Sequence, residues 1–194
     1  MSGPWPALPS GGLAEMGAVR RGLDLLYLLG GIAGGLSLAA IAGVIATQVI
    51  ARQFGISVDG ADDLTAFAVA GSALLPLAYA FRHGAHIRVD LIIGNISGAP
   101  RFALETVSLM ATTLLAAFLA YAVGDLAHDS WQFEDVAQGT VPWVLWIPQS
   151  ACAAGCALFA LALLDDLVVH LTGGVPSYRR AAEASAVTRA MEEL

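Results

Sequence analysis

The sequence predicts an all-α integral membrane protein with four transmembrane helices and both termini in the cytoplasm (N-in/C-in). Three observations predict this class: 57% of the 194 residues are hydrophobic, only 13% are charged, and the mean hydropathy is +0.71. A soluble domain carries about a quarter charged residues, so this composition argues against a soluble enzyme. The nine basic residues are all arginines and form no basic face, which excludes a nucleic-acid partner.

Four stretches without ionisable side chains define the spans, because a charge in the hydrocarbon costs several kcal/mol. These stretches cover residues 25–51, 64–81, 106–124 and 136–164. A helix needs about 20 apolar residues to cross a bilayer, and each stretch reaches that length with at most a flanking residue or two. We predict spans at about 25–50, 64–82, 104–124 and 143–164, inside a membrane domain that covers residues 20–172.

Prolines refine these boundaries. Pro76 lies inside the second span, where a membrane helix tolerates it as a kink. Pro142 and Pro148 predict that the fourth helix begins near Trp143, after an interfacial loop at 136–142. The first apolar stretch is about twice as long as the apolar region of a signal peptide, which favours a retained anchor.

The arginines set the predicted orientation, since cytoplasmic loops retain Arg and Lys. Eight of the nine lie in the N-terminal flank, the loop between helices 2 and 3, and the C-terminal tail, and only Arg52 lies on the opposite side. We therefore predict cytoplasmic termini and an acidic outer face. Residues 1–19 read as a disordered cytoplasmic tail, residues 87–96 as a short interfacial segment between helices 2 and 3, and residues 173–194 as a cytoplasmic C-terminal tail.

The predicted spans contain no obvious catalytic chemistry. A carrier ordinarily places ionisable side chains within its spans, whereas here every Asp, Glu, Arg and His lies at or beyond the end of an uncharged stretch. The sequence also lacks a phosphate-binding loop, a G-x-S-x-G elbow and an H-E-x-x-H metal helix. Cys152 and Cys156 read as small apolar filler. We predict no enzyme activity, no catalytic residue, no metal and no cofactor in this chain, and no transport by it alone.

Small residues at helical spacing mark the first span. They form one ridge of residues four apart and an overlapping GxxxG pair: Gly31, Gly35, Ala39 and Gly43, with Gly30 and Gly34. Such ridges let two helix backbones approach closely. The ridge predicts either contact with a partner subunit or packing inside this bundle, and the sequence does not decide between the two.

Histidines at the helix ends support an alternative function. His83, His86 and His170 lie at predicted cytoplasmic ends, and an axial pair such as His83 with His170 could ligate a haem between helices 2 and 4. The alternative is thus a haem-binding or anchoring subunit of a membrane oxidoreductase. Against it, haem ligands in such bundles usually lie inside the spans, whereas these histidines lie beside arginines. A solvated or interfacial histidine is the more common case.

Two stretches carry a family resemblance. The first runs from Ala51 through Asp62 and Asp63 and the second span to Arg82, His86, Arg88 and Asp90, and the second runs from Val141 through Trp143 to Pro148 and Gln149. Together with four helices they resemble the small membrane subunit, the DctQ type, of tripartite ATP-independent periplasmic (TRAP) transporters, over residues 20–172. The family often has Glu before the second helix, where this chain has Asp62 or Asp63.

The resemblance implies an accessory scaffold subunit of a Na⁺-coupled secondary transporter (symporter) for organic acids. The implied partners are a large multi-span carrier subunit, a periplasmic substrate-binding protein that docks transiently, and membrane lipids. Na⁺ coupling is expected in the carrier subunit, and the location is the inner (cytoplasmic) membrane of a bacterium or archaeon. We expect the motif residues to act as structural or subunit contacts: Asp62, Asp63, Arg82, His86, Arg88, Asp90, Trp143, Pro148 and Gln149. Arg88 and Asp90 would pair with a partner subunit or lipid headgroups, or Arg82 would reach Asp90.

Overall fold

The structure, a computed structural model, describes residues 10–83, 99–174, 176 and 177. The described part is 81% helical and contains no strand. Its helices are α1 Ser10–Gln53, α2 Ala61–Leu74, α3 Leu77–Arg82, α4 Ala99–Gln132 and α5 Trp146–Leu171. Four stretches are long and apolar enough to cross a membrane: Gly22–Gln53, Ala61–Arg82, Pro100–Gln132 and Trp146–Leu171. The predicted all-α class with four spans is confirmed.

Several helices extend beyond the predicted spans. Helix α1 begins at Ser10, so residues 10–19 are helical where the sequence predicted a disordered tail. The physical reason is that Pro9 is the last proline before Pro76, and good helix formers such as Ala, Leu and Met follow it. Helix α4 continues past both ends of the predicted span. A charged residue marks the point where the chain emerges from the hydrocarbon, but it does not end the helix. Of the other predicted segments, residues 1–9, 87–96, 175 and 178–194 lie outside the described residues.

The second span is broken at its proline. Helix α2 ends at Leu74 and α3 begins at Leu77, so only two residues separate them. The Leu75 amide still donates to the Gly71 carbonyl at 3.0 Å, and the Ala80 amide donates to the Pro76 carbonyl at 2.8 Å. The helical bonds that flank the break therefore end at the Leu75 amide and resume at the Ala80 amide, as expected for a kink at a proline.

The spans are arranged in a row. Helix α5 packs along α4 on one side and along α2 and α3 on the other, while α1 packs mainly on α2 and α3. The order across the described bundle is therefore α1, then α2 with α3, then α5, then α4. An outer helix of a row is covered on one side only. The buried share of the most apolar window is 11% for α1, 17% for both the second span and α4, and 39% for α5, so α5 is the most enclosed of the four spans.

The buried core lies toward the end of the bundle that contains Arg82, called the Arg82 end below. It consists of alanine, leucine and aromatic side chains from four helices: Tyr27, Ala78, Phe81, Ala116, Ala162 and Leu163. Phe81 of α3 meets Phe159 of α5 edge to face, with ring centroids 5.9 Å apart. Alanines on α4 and α5 let these two helices approach closely. Because lipid tails cover apolar surface as well as another helix does, the dispersion contacts of this close packing are what hold the helices together.

Candidate partner interface

The small-residue ridge of α1 divides into an inward and an outward half. Its inward half is Gly30, Gly31 and Gly34, which face the break in the second span. A methyl group added at Gly34 would lie 2.6 Å from Pro76 Cδ, and one at Gly30 would lie 2.7 Å from the Leu75 carbonyl oxygen. Only glycine fits such distances, so this half is used within the chain.

Helix α5 contacts the break in the second span from the side opposite α1. A methyl group added at Gly155 would lie 2.7 Å from the Leu74 carbonyl oxygen and 3.0 Å from Leu75 Cα. Both neighbours are backbone atoms, which cannot rotate out of the way. The kinked segment is thus held between glycines of two flanking helices, which positions α1 and α5 on opposite faces of the second span.

The outward half of the ridge is Gly35, Ala39 and Gly43, and it is exposed along α1. A methyl group added at Gly35 or Gly43 meets no described atom within 4 Å. These three positions are four residues apart, so they form one shallow groove along the outer side of the row. The inward half of the ridge therefore packs inside the bundle, and the outward half is available for contact with a partner subunit.

The other outer span presents a different surface. Large side chains cover the exposed face of α4, each about two-thirds exposed: Val107, Leu114, Leu115, Phe118 and Tyr121. Bulky flexible side chains of this kind meet disordered acyl chains well but keep another helix backbone at a distance. Of the two outer spans, α1 has the surface better suited to a close helix contact.

At the Arg82 end, one arginine links three spans. Arg82 Nη2 lies 3.4 Å from Asp24 Oδ1 of α1, and Nη1 lies 3.3 Å from Asp165 Oδ2 of α5. Its guanidinium also lies over the Tyr27 ring, 5.1 Å from the centroid. The sequence offered Asp90 as a partner for Arg82, but Asp90 lies outside the described residues, and Asp24 and Asp165 are the partners that the structure describes.

Replacing Arg82 with methionine is expected to lower the stability of the bundle by about 1–2 kcal/mol. The figure is modest because Asp24 is 59% exposed and Asp165 is 24% exposed, so water screens both ion pairs. Thermal unfolding in detergent measures the change, and part of it should vanish in high salt. Arg52→Met, at the exposed end of α1, is the matched control. Equal unfolding midpoints for the two variants would contradict this role of Arg82.

A buried polar cluster joins α4 to α5 at the same end. Glu105 is 5% exposed and His170 is 4% exposed, with 3.9 Å between Glu105 Oε2 and His170 Nδ1. His170 Nε2 lies 3.1 Å from the Thr106 hydroxyl. Arg101 Nε donates to Glu105 Oε1 at 2.9 Å. The sequence favoured solvated or interfacial surroundings for His170 at its helix end, and burial of His170 in this cluster corrects that interpretation.

The chain that follows α5 is held by a buried carboxylate. Asp166 is 2% exposed and accepts the Ser177 backbone N–H at 3.0 Å and the Ser177 hydroxyl at 2.6 Å. Sequence reasoning missed this contact as well. A buried acid and a serine eleven residues away meet only if the chain turns back after the helix, and Gly173, with φ +78°, lies at that turn.

The two histidines of the haem alternative are held by different neighbours. His83 Nδ1 contacts the Tyr79 carbonyl oxygen at 2.8 Å, and its ring stacks on Tyr79 with centroids 4.0 Å apart. His170 instead stacks on Phe102 of α4, with centroids 4.6 Å apart. Within residues 10–83 and 99–177, as far as they are described, no three His, Cys, Asp or Glu side chains gather as metal ligands. His86 lies outside that part.

The opposite end of the bundle brings three of the motif residues together. Gln48 Nε2 donates to Asp62 Oδ1 at 2.9 Å and joins α1 to the start of α2. Asp63 lies against Gly139 of the loop between α4 and α5. In that loop Trp143 packs on Gly60, where an added methyl group would lie 2.7 Å from the indole nitrogen. Gly60 has φ +72°, so the tight turn before α2 needs glycine for both reasons.

Two motif residues lie in the first turn of α5. Pro148 is the third residue of the helix, where its missing N–H would in any case have no helical partner. This placement explains why the helix begins at Trp146 and includes the proline. Gln149 follows, and its Oε1 is buried without a described hydrogen-bond partner. Arg82 lies at the far end of the bundle from these residues, while His86, Arg88 and Asp90 lie outside the described part.

These features define a multi-pass membrane protein built as a row of apolar helices, with polar contacts at both ends and a small-residue groove on one outer span. The chain matches the family described as tripartite ATP-independent periplasmic transporters, DctQ component, over residues 41–173. It belongs to that family, which makes it a component of a TRAP transporter. Neither a curated protein nor a solved structure matches the chain. The haem alternative gains no support from the family match.

Proposed function

We propose that the chain is the scaffold subunit of a Na⁺-coupled transporter for organic acids, bound to a large carrier subunit that receives substrate from a periplasmic binding protein. The family membership supports a component of such a tripartite system. The observation that carries the scaffold role is the row of helices, which exposes a small-residue groove on α1. In this proposal the protein lies in the cytoplasmic membrane of a bacterium or archaeon, with both termini in the cytoplasm.

The distribution of charge supports a scaffold role for this chain and a transport role for the carrier subunit. The described ionisable side chains lie within about two turns of a span's end, and most of those at the Arg82 end are engaged with one another. Coupling ions are commonly bound by polar groups near the bilayer midplane, so Na⁺ coupling belongs in the carrier. A bundle held by glycine contacts and by ion pairs at the Arg82 end is suited to keep a moving carrier in place.

The groove formed by Gly35, Ala39 and Gly43 is the proposed carrier contact. A helix of the carrier can approach α1 closely there, because no side chain intervenes. The bulky face of α4 would then meet lipid. The acidic loop residues at the Asp63 end, on the predicted periplasmic side, would offer a weak docking surface for basic groups of the binding protein.

Leucine at both Gly35 and Gly43 is expected to lower recovery of the carrier about tenfold in a mild-detergent pull-down, which corresponds to ~1.4 kcal/mol of association free energy. The chain itself should remain folded, because both positions face open space. Quantitative mass spectrometry of the eluate measures the carrier. Ala117→Leu, on the exposed face of α4, is the matched control and should leave recovery unchanged.

This experiment also discriminates between functions. Equal recovery of the carrier with the groove variant and with the α4 variant would show that α1 does not form the contact. Elution of a flavin or iron–sulfur subunit in place of a carrier would refute the transporter assignment. A second test reconstitutes the carrier with and without this chain in vesicles: uptake of an organic acid should need the pair, the binding protein and an inward Na⁺ gradient.

A further inference from the structure

A cavity of about 550 Å³ with charged residues in its lining opens between α1 and α3 at the Arg82 end. Its described lining comes from the start of the first span, the end of the second and the segment after α5: Asp24, Tyr27, Leu28, Tyr79, Arg82, His83 and Ser177. Asp24 is the third residue of the first membrane stretch, and Arg82 is the last residue of the second. The cavity therefore lies at the depth of the lipid headgroups, and its volume is within the range of small-ligand sites, about 300–1,000 Å³.

The charges in and directly behind the described lining favour a cation: Asp24 and Arg82 line the cavity, and Asp165 contacts Arg82 from outside the described lining. The Arg82 guanidinium already faces two carboxylates, Asp24 at 3.4 Å and Asp165 at 3.3 Å, so these three groups together carry one net negative charge. Asp24 is 59% exposed, which leaves much of its carboxylate accessible from the cavity. A headgroup with net negative charge would add to this excess, whereas an ammonium group compensates it.

The histidine adds a second acceptor. His83 Nδ1 lies 2.8 Å from the Tyr79 carbonyl oxygen, which can only accept, so Nδ1 carries the hydrogen. In the neutral ring, Nε2 then presents a lone pair. The aromatic faces are already occupied, because Arg82 covers Tyr27 and His83 stacks on Tyr79. The site thus selects a cation that donates hydrogen bonds, a primary ammonium, over a methylated one that relies on aromatic faces.

An apolar wall continues from the cavity toward the bilayer interior. Leu28 lines it and is 43% exposed, and Ile32 on the following, deeper turn is 50% exposed. A ligand with a primary ammonium at the headgroup level and acyl chains below it fits both parts of this surface. We propose that the cavity binds the headgroup of a zwitterionic, ethanolamine-bearing phospholipid, with its ammonium between the Asp24 carboxylate and His83 Nε2.

Native mass spectrometry of the full-length chain tests this proposal with three lipid probes of identical acyl chains: phosphatidylethanolamine, phosphatidylcholine and phosphatidylglycerol. We expect phosphatidylethanolamine to be retained at least about tenfold more tightly than the other two. Asp24→Asn should reduce its retention to the level of the others, because Asn lacks the charge that the ammonium needs. Asp59→Asn, an exposed carboxylate at the opposite end, should leave retention unchanged.

A second variant tests the site without changing Asp24, which is also paired with Arg82. His83→Phe preserves the ring that stacks on Tyr79 but removes the Nε2 acceptor, and it should also weaken phosphatidylethanolamine binding. Equal retention of phosphatidylethanolamine and phosphatidylglycerol by the wild-type chain would overturn the proposal, as would unchanged retention by Asp24→Asn. Binding that appears only after removal of residues 178–194 would overturn it too, because the chain's own tail would then be the occupant.

Discussion

Alanine at Gly155 is expected to destabilise the bundle by about 2–3 kcal/mol, although it adds a single methyl group. That methyl would lie 2.7 Å from the Leu74 carbonyl oxygen and 3.0 Å from Leu75 Cα. Because the neighbours are backbone atoms of the kinked span, α5 would have to move away from α2 and α3, and contact would be lost along the centre of the row. Thermal unfolding of the purified chain in detergent measures the loss.

Gly35→Ala is the matched control for this prediction. Gly35 also lies within a membrane helix, but an added methyl group there meets nothing within 4 Å. Alanine is a better helix former than glycine by roughly 0.5–1 kcal/mol, so this variant should be as stable as the wild-type chain or slightly more stable. If the two alanine variants unfolded at the same temperature, the close approach of α5 to the kink would not contribute to stability.

Replacement of Glu105 by leucine should likewise cost about 2–3 kcal/mol. Glu105 accepts from Arg101 at 2.9 Å and lies beside His170 at 3.9 Å, so its removal leaves a buried imidazole without its acidic neighbour. The estimate is below the full cost of breaking a buried ion pair because Arg101 is 28% exposed and can turn toward water. The thermal unfolding midpoint is again the measurement.

A double substitution makes this second test specific. Glu105→Leu combined with His170→Leu should recover part of the lost stability, because the double variant no longer leaves a buried imidazole without its acidic neighbour. Asp129→Leu is the control on the same helix, since Asp129 is exposed and its removal should change little. Additive losses from the two single substitutions would show that Glu105 and His170 do not interact.

The spans could be predicted well because the relevant information is local. A run of residues without charge that ends at Asp24, Arg82 or Asp125 must leave the hydrocarbon there, whatever its neighbours are. Helix ends were predicted less well, because the same local signal, charge, does not mark where a helix ends. Charge marks where the membrane ends, whereas α4 remains helical to Gln132 because nothing in its sequence breaks the helix.

The small-residue ridge shows where local information stops. Gly34 and Gly35 are adjacent in sequence and identical in chemistry, yet one contacts Pro76 and the other faces open space. A step of one residue turns the side-chain direction by about 100°, so the rotation of α1 relative to the second span decides which glycine is used. Periodicity identifies the helix face but contains no information about the neighbour.

Composition and charge pattern by themselves determined that this protein is helical, crosses the membrane four times and lacks a soluble domain's surface, and two motifs indicated the family. Tertiary structure alone decided which residues meet: Arg82 with Asp165, 83 positions away, and Thr106 with His170, 64 positions away. The physical reason is that membrane insertion depends on the hydropathy of each segment separately. Partners in an ion pair or a glycine contact depend on how separate helices are ordered, rotated and set in depth against one another.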